Sequence, residues 1–280
     1  MPLQTLTAVL ADARARGQGV GAFNVIQLEH AEAYATAAER AGLPVVMQIS
    51  ENCVRYHGAL APLARAVLEI GQACAQPVVV HLDHAEDVRL VHEAVDLGMT
   101  SVMYDGSTLP DEENRRVTAE VVRRCHGAGV SVEAELGEVG GKDGVHAPGV
   151  RTDPTDAARF VQDTGVDALA VAVGSSHAMT ERVARLDEHL IAQIAAQVPV
   201  PLVLHGSSGV PDDGLSGAVR AGMTKVNIAT HLNAVFTGAM QAALQERPTV
   251  DTRKYLGAAR DAVTVEVERL LRLLAGVRTG

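Results

Sequence analysis

The sequence predicts an α/β protein, a (β/α)8 barrel of the TIM type with a C-terminal helical extension. Three observations lead there. Eight short runs rich in Val recur along the 280 residues, too short for helices and apolar on both faces. Amphipathic stretches of helical period alternate with them, giving eight strand–helix units in about 230 residues, the size of such a barrel. No glycine fingerprint for a dinucleotide follows the first run, which disfavours the alternative of an open, doubly wound sheet.

In chain order the predicted strands are 19–25, 44–50, 77–84, 100–107, 129–137, 168–177, 201–209 and 224–230. Helical patterns lie between them, including 29–40, 60–75, 86–97, 111–126 and 156–162. Gly or Pro punctuates the helix-to-strand joints, as in Ala41-Gly42-Leu43-Pro44 and Gly127-Ala128-Gly129. The tail is helical over 258–274 and is expected outside the barrel or against a partner subunit. No linker, low-complexity tract or short repeat appears, so residues 1–280 read as one domain.

Composition narrows the function. Apolar residues make up 47% of the chain, enough for a large core, and disorder is not expected. The net charge of −10 argues against nucleic acid or an anionic membrane surface as partner. No apolar run is long enough to span a bilayer. The first residues lack the basic and apolar regions of a secretory signal. Cys53, Cys74 and Cys125 are isolated, which fits a reducing cytoplasm. Lysines are confined to Lys142, Lys225 and Lys254, leaving little room for lysine chemistry.

Reactive side chains gather at the predicted strand ends: Asn24, Ser50, Asp83 with His84, Asp105, Glu135, His177, His205 and Asn227. In a barrel those ends meet on one face, where catalytic groups sit. His84, His177 and His205 each close an apolar run, in VVVHLDH, VAVGSSH and PLVLHGSSG. Three neutral imidazoles with an open position are the pattern of a catalytic zinc site. Asp105 and Glu135 are placed to hold a second metal position, to orient ligands, or to cap the following helices. Asp83 is placed as a general acid/base. His81, inside its strand, reads as an interior hydrogen-bonded side chain. His30, His92, His126, His189 and His231 fall in helical stretches and read as solvated or near caps. His57 and His146 are placed in surface loops.

The loop His205-Gly206-Ser207-Ser208-Gly209 and the segment Asn227-Ile228-Ala229-Thr230 follow the last two strands, where barrels often bind phosphate. The segment 138–149, with Gly140-Gly141 near one end and Pro148-Gly149 at the other, reads as a lid.

At these residues the chain resembles the class II, zinc-dependent fructose-bisphosphate and tagatose-bisphosphate aldolases. The likeness runs through GAFNV, HLDHAED, SVMYDGS, VEAELGEVGG, VAVGSSH, VLHGSSGV, TKVNIAT and RKYLGAAR. It implies reversible aldol cleavage of a ketose 1,6-bisphosphate, fructose 1,6-bisphosphate first, into dihydroxyacetone phosphate and an aldehyde phosphate through a metal-stabilised enediolate. It implies Zn²⁺ on His84, His177 and His205, and a second divalent position at Asp105 and Glu135. Asp83 matches the acid at the C4 hydroxyl. Gly206, Ser207, Ser208, Asn227, Ile228, Ala229 and Thr230 match the dihydroxyacetone-phosphate site, assisted by a monovalent cation. Asn24 and Ser50 match substrate contacts. A homodimer or homotetramer is implied.

Two departures stand out. Ala178 and Glu181 follow His177 where the family carries Gly and a phosphate-binding Lys, so Arg182 or a lid residue would substitute. Asp143 stands where the lid of the family carries Glu. Tagatose 1,6-bisphosphate and 5-keto-2-deoxygluconate 6-phosphate are therefore alternative substrates. A Schiff-base aldolase on Lys225 and a non-catalytic accessory subunit are the remaining rivals.

Overall fold

In a computed structural model, which describes residues 3–136, 151–175 and 182–277, the Val-rich runs form parallel strands. They are β1 (Val20–Asn24), β2 (Val45–Ser50), β3 (Val78–Ala85), β4 (Ser101–Tyr104), β5 (Ser131–Glu135), β6 (Ala168–Ala170), β7 (Leu202–Leu204) and β8 (Met223–Ile228). They pair in sequence order and β8 returns to β1, closing the barrel. Helix α1 (Leu6–Ala15) precedes β1, and α2 (Leu28–Ala41) follows it. Next come α3 (Glu51–His57), α4 (Ala61–Ala73), α5 (Val88–Asp96), α6 (Asp111–Gly127), α7 (Pro154–Thr164), α8 (Glu188–Gln197) and α9 (Asp212–Ala221). Helices α10 (Thr230–Glu246) and α11 (Thr252–Leu274) complete the chain, and α11 packs on α2 and α10.

Side chains alternate across a strand, so each strand has one set facing the barrel axis. The inner set begins apolar. Val20, Ala22, Val46, Val79, Met103, Ala168, Ala170 and Val203 form one cluster with Leu6, Val9, Leu10 and Ala13 of α1. Helix α1 thus plugs the N-terminal end of the barrel. Its approach is pinned by Gln4 N–H donating to the Val78 carbonyl (2.9 Å) and by the Thr7 and Ser131 hydroxyls at 2.7 Å. Two residues further along the strands the inner set becomes polar, with Gln48, His81, Glu133 and Lys225 all buried. The apolar floor therefore carries a polar layer, and the site lies above it.

The sixth strand is shorter than the run that announces it. It ends at Ala170, and 171–175 leave the ladder. Gly174 (φ +116°) sits against the Arg185 carbonyl, 2.6 Å from where a Cβ would stand, so only glycine fits there. His57 closes α3 rather than lying in a loop, and its Nε2 is 2.7 Å from the Ile26 carbonyl.

His30 departs from the solvated position expected of a helical histidine. It lies on the buried face of α2, with ring centroids 6.0 Å from Tyr34 and 4.9 Å from Phe236. Neither ring nitrogen has a hydrogen-bond partner among the described residues. Burial lowers its pKa to about 4, against a smaller upward pull from Glu29. In the unfolded chain the value returns to about 6.5. The unfolded state therefore binds the proton more readily, and stability falls as pH drops from about 6.5 to 4, by about 3 kcal/mol at most. His30→Leu should remove this loss. Urea unfolding at pH 7 and at pH 4.5 should show a smaller drop for the variant than for the parent. Equal drops would refute the assignment.

Candidate active site

Asp83 and His84 are consecutive, and a regular strand would send them to opposite faces. The chain avoids this at the end of β3. His84 adopts φ 49°, the left-handed region that a non-glycine residue enters at a cost of about 1 kcal/mol. The β3–β4 register shifts between Leu82 and Ala85 at the same point. Both side chains then reach the barrel mouth. Asp83 accepts hydrogen bonds from the amides of Asn24 (3.3 Å), Gln48 (3.3 Å) and Asn227 (3.4 Å). Gln48 also donates to Asn24 Oδ1 at 2.8 Å, so these neutral donors form one frame around the carboxylate.

His84 Nδ1 donates to Asp105 Oδ2 at 2.7 Å, and the Ser107 hydroxyl donates to Asp105 Oδ1 at 2.6 Å. His205 follows β7. Gly206, in left-handed conformation at φ 64°, turns the chain away directly after it. His205 Nε2 donates to Glu133 Oε1 at 2.8 Å. The remaining nitrogens, His84 Nε2 and His205 Nδ1, are 2.8 Å apart. With each opposite nitrogen donating to a carboxylate, two lone pairs converge on one point. That arrangement is stable only around shared positive charge.

The electrostatics agree. Burial alone would lower the His84 pKa, but Asp83, Asp105 and Glu135 outweigh it and hold it at about 9. Ligand atoms of Asp83, His84 and His205 lie within 4.8 Å of one another, as do those of His84, Asp105 and Glu135. Imidazole nitrogens backed by carboxylates are the donor set of a zinc-like cation, so the residues present fit a divalent metal. His177 and Asp143 lie outside the described residues, as does the lid segment 138–149 with His146.

A cavity of about 180 Å³ opens here, lined by Asn24, Gln48, Ser50, Asn52, Asp83, His84, His205, Gly206, Ser208, Asn227, Ala229 and Thr230. Ser50 also caps α3, accepting from Cys53 N–H at 3.2 Å. Ser208 Oγ accepts from Ala229 N–H at 3.3 Å, joining the two predicted phosphate segments. Ser207 and Ile228 are buried beneath the lining, and the Ser207 hydroxyl donates to the Asn227 carbonyl. Arg182 is committed elsewhere, to the Val210 carbonyl (2.7 Å) and Asp212 (2.6 Å). Lys225 is fully buried, and its Nζ donates to Glu133 Oε2 at 2.8 Å, which leaves no free amine for a Schiff base. Sequence reading passed over Gln48 and Glu133. Both were detectable two residues before Ser50 and Glu135, on the same strand faces.

The family model described as fructose-bisphosphate aldolase class-II matches residues 4–277. The chain belongs to the class II fructose-bisphosphate aldolase family. It is accordingly an aldol-cleaving lyase of that family. The fructose-bisphosphate aldolase of Staphylococcus epidermidis is 38% identical over 277 residues, covering 97% of each chain. That of Giardia intestinalis is 39% identical, covering 94% of this chain and 90% of its own. The crystal structure of the YdjI aldolase from Escherichia coli K12 superposes with a TM-score of 0.85 at 32% identity, covering 97% of both chains. In this class II aldolase, Asp105→Ala would leave His84 Nδ1 without its carboxylate. Divalent-ion affinity, measured by competition with a chelator, should fall about 10–100-fold. Unchanged affinity would show that Asp105 does not orient the ring.

Proposed function

We propose that the chain is a zinc-dependent ketose-bisphosphate aldolase, with fructose 1,6-bisphosphate as its first substrate. The observation that carries this reading is the convergence of His84 Nε2 and His205 Nδ1 beside the Asp83 carboxylate in one cavity. His84, His205 and His177 would hold the catalytic ion, with Asp105 and Glu135 offering a second divalent position. A divalent cation there supplies Lewis-acid stabilisation of the charge left when C3–C4 breaks.

The chain's own residues handle the protons. In cleavage, Asp83 takes the C4 hydroxyl proton as the C4 aldehyde forms, and the bonding pair stays on C3. Asp143 on the lid then delivers a proton to that carbon, completing dihydroxyacetone phosphate. In condensation both transfers reverse. Asn24, Gln48 and Asn227 hold the Asp83 carboxylate by amide donors and so aim it (3.3–3.4 Å). Asn24 and Ser50 contact the sugar chain. Gly206–Ser208 and Asn227–Thr230 receive the phosphate, with a monovalent cation assisting. The protein works as a homodimer or homotetramer in the cytoplasm, with residues 1–280 as one catalytic domain. Among the described residues no helix is long and apolar enough to cross a membrane.

Ala178 and Glu181, in place of the usual Gly and Lys, support a second reading with the same chemistry on another ketose phosphate. A cleavage screen of fructose 1,6-bisphosphate, tagatose 1,6-bisphosphate and 5-keto-2-deoxygluconate 6-phosphate separates the readings. Chelation should abolish cleavage and added Zn²⁺ should restore it. Asp83→Ala should lower turnover about 10²–10⁴-fold. Full activity of the metal-free protein would overturn the mechanism. A folded protein that binds no metal and cleaves none of the three would favour an accessory subunit.

A further inference from the structure

Below the cavity floor lies a charge pair that the aldol chemistry does not call on. Glu133, on the inner face of β5, is fully buried. One carboxylate oxygen accepts a hydrogen bond from His205 Nε2–H (2.8 Å), and the other accepts one from Lys225 Nζ (2.8 Å). His81 is also near, its Nε2 3.8 Å from Glu133 Oε2, while its Nδ1 faces the Ser101 hydroxyl at 2.8 Å. Burial and the neighbouring Lys225 cation keep the His81 imidazole neutral. Lys225 is thus the basic side chain that bonds Glu133 directly opposite His205.

We propose that Lys225 and Glu133 are positioning residues for the metal ligand His205. Lys225 fixes the Glu133 carboxylate and compensates its buried charge. Glu133 fixes the His205 ring, with the proton on Nε2 and the Nδ1 lone pair aimed at His84. Three observations support this. The carboxylate is held at both ends, so it has no alternative rotamer that keeps its hydrogen bonds. Glu133 and Lys225 lie within β5 and β8 and His205 directly follows β7, so the strands set their spacing. Lys225 does not line the cavity, so its ammonium acts through Glu133 and not on substrate. A buried carboxylate stripped of its partner is costly, whereas a neutral pair of similar shape is tolerated. That asymmetry makes the idea testable.

The inference rests on the metal-dependent reading above. Four proteins decide it: the parent, Lys225→Met, Glu133→Gln, and the double variant. Zn²⁺ affinity is read by chelator competition, fructose 1,6-bisphosphate cleavage by kcat and KM, and folding by thermal unfolding. Each single variant should bind Zn²⁺ about 10–100-fold more weakly than the parent. The double variant keeps an amide oxygen for His205 and no buried net charge. It should regain at least about tenfold in affinity over Lys225→Met, with kcat recovering in parallel. A folded double variant no better than Lys225→Met would overturn the proposal, because Lys225 would then act in its own right. Should Lys225→Met not fold, the parent still decides. Nitrogen-15 spectra of its histidines, with and without Zn²⁺, should show His205 protonated at Nε2, and an unprotonated Nε2 would refute the proposal. Because those spectra do not require zinc binding, a parent that binds no zinc fails the functional reading separately.

Discussion

Two imidazole nitrogens that face each other at 2.8 Å govern the rest of this molecule. Each ring donates its other N–H to a carboxylate, His84 to Asp105 and His205 to Glu133. Lone pairs so close repel unless a positive charge lies between them. The surrounding carboxylates supply the field that favours one, and they raise the His84 pKa to about 9 against its burial. The requirement reaches outward. Asp105 must be held by Ser107, Glu133 must be balanced by Lys225, and β3 must bend to present His84 at all.

The barrel meets these demands through the two-residue period of its strands. On β3 the inner positions run Val79, His81, Asp83, and on β5 they run Ser131, Glu133, Glu135. Apolar packing against α1 closes the N-terminal end, and burial of those side chains stabilises the closed sheet at about 25 cal/mol per Å². Polar groups then gather at the opposite end and bond across the barrel, as Glu133 of β5 does to Lys225 of β8 and Asn227 of β8 does to Asp83 of β3. The left-handed backbone at His84 is the one departure among non-glycine residues with described backbone. Its strain is local, and it places acid and ligand side by side, which alternation alone forbids.

Much of this was legible in the chain, for physical reasons that differ by residue. The strands announced themselves because parallel strands buried on both faces must be continuously apolar. Their chemical ends announced themselves because a carboxylate or imidazole closing such a run has few structural uses. Gln48 and Glu133 stayed hidden because each sits inside its run, where period two, not position at the end, carries the signal. The length of β6 was overread because Val171–Val173 are apolar and buried without being paired as strand. His30 was misread because residue type suggested water while its spacing to Tyr34 and Ala37 already matched the buried face of α2.

The acidic charge of the chain and the anionic substrate of the proposed reaction need not conflict. A net charge of −10 acts at long range, and salt screens it beyond about 8 Å. Within the cavity lining there is no Lys or Arg among the described residues. What the lining offers is backbone. Ala229 and Thr230 open the 17-residue helix α10, and Ala229 provides no side-chain cap. The first amides of such a helix point outward with partial positive charge, the arrangement that receives phosphate. Gly206 and Ser208 border the same space from β7. Under the proposed reading, a phosphate would meet these dipoles at one end of the cavity while the sugar oxygens face the imidazoles. Neutral donors at one end and a cation-binding centre at the other orient the ketose without any global positive field.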